Sequence, residues 1–156
     1  MSIDVEIRGL KAVQQKQAQM ARDLKGEPMM NAMREATLIV HRAAVKNLHP
    51  WKGPGTGGVD TGRMRASIQP NVREEQSGLV GTVGSNVEYA KYQELGTKPH
   101  WVGIKHIGTW AERHLGRRKP VFVSGIALRF LARAVEDNAD RIFHKIGDGV
   151  GKIVKK

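Results

Sequence analysis

Residues 85–97 read Ser-Asn-Val-Glu-Tyr-Ala-Lys-Tyr-Gln-Glu-Leu-Gly-Thr. They gather a serine, two carboxylates and both tyrosines of the chain, Tyr89 and Tyr92. Glu88 and Glu94 are the residue types of general acid–base catalysis, which needs carboxyl groups that converge on one substrate. They stand six residues apart, and on a helix that spacing leaves them about 120° out of alignment. The chain has no cysteine and no Gly-x-Ser-x-Gly elbow, so no nucleophile stands out. No enzymatic activity is expected.

Metal and nucleotide chemistry fare no better. His100, His106 and His114 are spaced by six and eight residues, not the i, i+4 pair that sets two ligands on one helical face. The stretch Gly-Pro-Gly-Thr-Gly-Gly within the loop 49–62 spells the dinucleotide fingerprint. That fingerprint requires a strand before it and a helix after it, whereas here a helix precedes and a strand-like segment follows. Pro54 also removes an amide that a phosphate cradle would use. No cofactor and no metal are expected.

The basic residues carry more information. The net charge is +11, which points to a polyanionic partner, nucleic acid or an acidic protein surface. Arg113, Arg117, Arg118 and Lys119 cluster beside Trp110, and Lys145, Lys152, Lys155 and Lys156 form a second group. The ordinary reading of such clusters is a solvated face. The functional one is a surface facing DNA or an acidic partner, through nonspecific backbone contact rather than base reading.

The elements that must position these residues follow from periodicity. Residues 3–8 alternate apolar and charged, as in a half-buried strand. Leu10, Val13, Gln17, Met20 and Leu24 trace one face of a helix stopped by Gly26 and Pro28. A second helix runs from Met29 to Leu48 and ends before Pro50. Strands are expected over 64–73 and 78–83, a further strand over 99–104, a helix over 106–116, and a long helix from about Ile126 to Ile146. The glycines and lysines of 147–156 predict a flexible basic tail. This gives a single α+β domain over 1–146, with an antiparallel sheet of about four strands covered by N-terminal helices and the long C-terminal helix. Early acids in the first ten residues argue against a signal peptide. No apolar run is long enough for a transmembrane helix.

Within this frame, Ser85 and Glu88 have the spacing of a capping box. Gly96 falls where a left-handed residue ends a helix, so a helix is expected over 86–95. Tyr89 and Tyr92 would share one face and pack their rings.

The run Asn-Val-Glu-Tyr-Ala-Lys-Tyr-Gln-Glu-Leu-Gly-Thr (86–97) resembles a motif of tailed-phage proteins. The family is the tail-completion or head–tail joining family of Hong Kong phage 97 gene product ten and lambda minor tail protein Z. Val59–Ile68, with its Asp60-Thr61-Gly62, is similar to the family's opening of the first hairpin strand. Ala127–Asn138 is similar to its Pro-Phe-Leu-x-Pro-Ala start of the last helix, with Arg129 and Arg133 where prolines are common. The resemblance implies a structural virion protein that acts at the head-proximal end of the tail and in head–tail joining. It implies a homo-oligomeric, hexameric ring around the DNA channel, in contact with tail-terminator, tail-tube or neck and connector proteins. It also implies synthesis in the host cytoplasm and residence in the virion. Ser85, Glu88, Tyr89, Tyr92, Glu94, Gly96 and Thr97, with Asp60, Thr61 and Gly62, then become an interface motif. Arg113, Arg117, Arg118 and Lys119 become the side facing DNA or an acidic partner. The competing reading is a nonspecific nucleic-acid-binding module without a ring.

Overall fold

The computed structural model describes residues 10–48 and 62–155. The strand expected over 3–8, the loop residues 49–61 with Asp60 and Thr61, and Lys156 lie outside the described residues. In chain order the elements are α1 (Leu10–Asp23), α2 (Glu27–Asn47), α3 (Arg63–Ser67), β1 (Ile68–Glu75), β2 (Gly78–Ser85), α4 (Ala90–Leu95), β3 (His100–Val102), α5 (Ile104–Leu115), β4 (Val121–Val123), α6 (Phe130–Glu136) and α7 (Ala139–Val154). The chain is α+β, as expected, but the single sheet of about four strands is not what forms. Two separate two-stranded antiparallel sheets are present among the described residues, β1 with β2 and β3 with β4. β3 and β4 are three residues each. They pair with each other across the intervening α5, and Gly103 and Pro120 stop them before the ladder can lengthen.

The chain groups into two compact units. Of the described residues, one contains 10–39, 71–82 and 140–155. In it, α7 packs on α2 through a glycine. A Cβ at Gly149 would meet the Ala32 methyl at 2.6 Å and Met29 Sδ at 3.3 Å, and Ile153 is buried one turn further on. This packing holds the helix through Gly147, Gly149 and Gly151, so the tail expected to be flexible from 147 is helical to Val154. Lys145 Nζ lies 3.0 Å from the Glu35 carboxylate, an interaction that raises the lysine pKa. The far end of the first hairpin is tied down by Lys25, whose ammonium donates to the carbonyls of Glu75 (3.1 Å) and Gln76 (3.3 Å). α1 forms as its period predicts, yet its side chains from Val13 to Arg22 are all exposed.

The other unit contains, of the described residues, 40–48, 62–70 and 83–139. Its core is Ala44, Leu48, Met64, Ile68, Ala90, Phe130 and Ala134. Phe130 is the largest of these side chains to be fully enclosed. Asn47 Nδ2 donates to Phe130 O at 3.1 Å and His41 Nε2 to Ile68 O at 3.2 Å, fixing α2 to both neighbours by polar contacts at the edge of that core. The first hairpin strand begins at Ile68 rather than Met64. Gly62 takes a left-handed φ of 80° and Ala66 N donates to its carbonyl, which winds 63–67 into one helical turn.

The single helix expected over 126–146 is broken in two. Arg129 has φ 51°, ψ 39°, a left-handed conformation that no helix interior tolerates, so α6 starts only at Phe130. At its far end Asn138 Nδ2 donates to Ala134 O at 3.0 Å. A side-chain bond of this kind competes with the backbone ladder.

Candidate functional site

The motif at 85–97 folds into a joint between three segments of the second unit, and its residues take roles that differ from those the spacing suggests. Ser85 does not cap a helix. It is the last residue of β2, so its backbone is extended by strand pairing, and its hydroxyl is shared between Ser67 Oγ (2.6 Å) and the amide of Val87 (3.1 Å). The capping box with Glu88 therefore does not form, and Glu88 is exposed. A turn follows, and α4 begins at Ala90 with Tyr89 as a cap that makes no side-chain bond. The helix is six residues rather than the expected 86–95.

The tyrosine rings do not pack as expected. Tyr89 is 41% and Tyr92 51% exposed, because Ala90 is the α4 residue turned into the core. The Lys91 ammonium sits 4.9 Å from the centroid of the Tyr92 ring, within range of a cation–π contact.

Glu94 has a structural role in the joint. Its two carboxylate oxygens accept the amides of Leu131 and Ala132, each at 2.9 Å. Those amides are orphan donors of the first turn of α6, where a negative charge is also favoured by the helix dipole. The arrangement is reciprocal. The carbonyls of Gln93 and Glu94, at the end of α4, accept the amides of Leu128 (2.7 Å) and Arg129 (3.3 Å). Each helix end thus supplies what the other lacks.

Gly96 has the positive φ that its place predicts, 77°, but its ψ of 179° is extended rather than helical left-handed. That region is open essentially to glycine alone. A Cβ at Gly96 would collide with the carbonyl oxygen of Gly125, and one at Gly125 (φ 76°) with the carbonyl of Thr97. The two backbones are held this close by Thr97 N donating to Gly125 O at 3.0 Å. The Thr97 hydroxyl is buried beside this contact without a partner among the described residues. Gly62, of the expected interface motif, caps α3 from a left-handed conformation.

The basic cluster stays exposed around the end of α5. Gly116 closes that helix in a left-handed conformation and donates to Glu112 O, which ends it ahead of Arg117, Arg118 and Lys119. Arg118 pairs with the Glu112 carboxylate at 3.8 Å. The three histidines do not gather. His100 Nδ1 donates to Lys98 O at 2.7 Å, and the His114 ring lies 5.4 Å from that of Trp110. Among the described residues no three His, Cys, Asp or Glu side chains come together in a way that could hold a metal.

One feature was not foreseen in the sequence. In the β3–β4 ladder Trp101 faces Phe122, with ring centroids 5.4 Å apart and planes at 58°. Trp101 is 70% and Phe122 51% exposed. The signal was Val-Phe-Val after Pro120, a short β-branched and aromatic run of the same length as His-Trp-Val at 100–102.

Residues 11–96 match the model of a family described as "Bacteriophage HK97-gp10, putative tail-component", more than half of the chain. The chain belongs to that family. No curated protein and no solved structure matches it. The tail component is accordingly a structural part of a phage virion and meets other virion proteins there. The matched segment runs from α1 to Gly96, so it ends inside the joint. The β3–β4 ladder, α5, and the last two helices lie beyond it. No described helix of the tail component is long and apolar enough to cross a membrane.

Proposed function

We propose that this tail component completes the tail at its head-proximal end and takes part in head–tail joining as a ring of identical subunits around the DNA channel. The observation that supports this reading is the joint at 93–97 together with the surface around it. The Glu94 carboxylate and the backbone groups of Gln93, Glu94 and Thr97 are spent on fixing 125–132, not aimed at a substrate. Tyr92, Leu95, Trp101, Phe122 and Ile126 nevertheless stay more than half exposed. A rigid scaffold that leaves large apolar side chains in water is suited to docking on other proteins. Function by docking rather than by chemistry follows, with the interface motif and the basic cluster as contact surfaces. Residues 1–146 act as one domain in this reading.

The experiment is a phage carrying a nonsense mutation in this gene. Filled heads and separate tails should accumulate, and adding the purified protein to that lysate should restore infectivity. Normal joined virions in the absence of the protein would rule the reading out. So would a steep, salt-dependent duplex shift by a tight monomer with no effect on joining, which is the behaviour of a nucleic-acid-binding module.

A further inference from the structure

Among the described residues nothing covers α1 between Val13 and Arg22, where every side chain is exposed. A solvated helix of 14 residues is marginal by itself. Its base is fixed, because Lys25 holds the carbonyls of Glu75 and Gln76. The apolar side follows a narrow rule. Val13, Gln17, Met20 and Leu24 are spaced by four, three and four residues, the a/d seam of a coiled coil. Gln14 and Ala21 flank that seam on one side, and Lys16 and Asp23 on the other. One flank is uncharged, and the other carries one charge of each sign. Among the described residues neither Lys16 nor Asp23 is in an ion pair. The Gln19 side-chain amide that donates to Asp23 at 3.1 Å is neutral and leaves that charge uncompensated.

We propose that α1 pairs with α1 of a second copy, antiparallel, about a two-fold axis between Ala18 and Gln19. Val13 then meets the partner's Leu24, and Gln17 meets the partner's Met20, each layer occurring twice. Lys16 stands opposite the partner's Asp23, also twice. Flanking charges of this kind set orientation and register. A shift of one heptad in either direction sets Lys16 against Lys16 or Asp23 against Asp23. A parallel pair leaves Lys16 opposite Ala21 and stacks Gln17 on Gln17, so neither flanking charge is matched. The seam thus complements itself in one arrangement, which selects a second copy as its occupant. Nucleic acid is a poorer one, because the seam is largely apolar and its flanks carry no net charge. The contact uses the same patch on both copies, so it closes at two. It goes beyond the head–tail reading and does not depend on it. The soluble protein is a dimer, and a ring would be built through other surfaces.

The test is sedimentation velocity of the purified full chain over a concentration series, with amide hydrogen exchange along α1 and far-UV circular dichroism as a check on folding. The wild type should pass from monomer to dimer, and exchange between Val13 and Arg22 should slow as the dimer forms. The pair Val13→Glu and Met20→Glu, Lys16→Glu alone and Asp23→Lys alone should each weaken dimerisation at least about tenfold. Lys16→Glu and Asp23→Lys combined in one chain should restore it. An equimolar mixture of the two single charge reversals should restore it too, because the hetero pair matches both contacts while either homodimer repels itself. A monomer at every concentration overturns the proposal. So does a dimer in which α1 exchanges as fast as in the monomer, or one that neither the combination nor the mixture restores. Slowed exchange in α1 that appears only when another virion protein is added would assign the seam to that protein and overturn the pairing. The nonsense phage tests head–tail joining separately, so either reading can fail without the other.

Discussion

The carboxylate of Glu94 accepts the amide of Leu131 at 2.9 Å, across 37 residues of sequence. The same carboxylate accepts the Ala132 amide at 2.9 Å, so one side chain from the end of α4 does for α6 what an N-cap residue ordinarily does from within. The residue at the cap position of α6, Arg129, makes no side-chain bond to the helix end. The cap is thus tertiary, and α6 depends on α4 for it.

Glu94→Ala should therefore destabilise the protein by about 2 kcal/mol, the range of a lost cap whose acceptor is charged. Glu94→Gln keeps one acceptor oxygen and loses the charge, and should cost roughly half as much. Glu88→Ala is the control. Its side chain is exposed and the change should stay within about 0.5 kcal/mol. Urea unfolding of the three variants measures all of this. A Glu94→Ala variant as stable as the control would mean that the clasp contributes nothing.

The crossing of Gly96 and Gly125 yields the second prediction. Gly96→Ala and Gly125→Ala each place a Cβ against a carbonyl of the opposing strand at a positive φ, and each should cost about 2–4 kcal/mol. Gly84 lies in β2 with open space around it, and Gly84→Ala should be nearly neutral. Thermal melts of the three variants separate a general intolerance of glycine replacement from the specific crossing.

These cases also show what a sequence can disclose. α1, α2 and the first hairpin follow from local periodicity, and the positive φ of Gly96 follows from its place after a short helix. Local patterns mislead where a distant partner competes. The Ser85–Glu88 spacing is that of a capping box, but Ser67 takes the serine hydroxyl and β1 keeps its backbone extended. Glu94 looked like half of a carboxylate pair because its partners lie beyond the reach of any local rule. The β3–β4 pairing was hidden for the same reason, with α5 between two strands each too short to show a period. The spacing of Tyr89 and Tyr92 predicts one shared face that packs its rings against neighbours. Their exposure follows from the shortness of α4, which turns only Ala90 fully inward.

The glycines of α7 should respond to alanine with opposite signs. Gly147 and Gly151 have open space where a Cβ would stand, so Gly147→Ala and Gly151→Ala should each stabilise the protein by about 0.5–1 kcal/mol through helix propensity. At Gly149 the added methyl meets Ala32. The overpacking cost of about 1–3 kcal/mol outweighs the same propensity gain. The checking measurement is the midpoint of chemical unfolding for the three single variants. Equal effects at all three positions would show that α7 does not lie against α2 through Gly149.

Arg129 supplies the last prediction. It is the non-glycine residue with positive φ among the described residues, a conformation that costs an L-residue about 1–2 kcal/mol. Its guanidinium lies 2.5 Å from Glu136, but both side chains are more than half exposed, so that pair offsets little of the cost. Replacing Glu136 by glutamine removes the pair from the comparison. In that background Arg129→Gly should raise stability by about 1 kcal/mol. Proline should do the reverse here. Its ring holds φ near −65° and it lacks the amide that Arg129 donates to Glu94 O, so Arg129→Pro should cost about 3 kcal/mol or more. The same amide is lost in any N-substituted residue, so a stable Arg129→Pro protein would mean that 128–130 can take a second path into α6. Chemical-shift changes at the Leu131 and Ala132 amides would then report whether the Glu94 clasp moves with it.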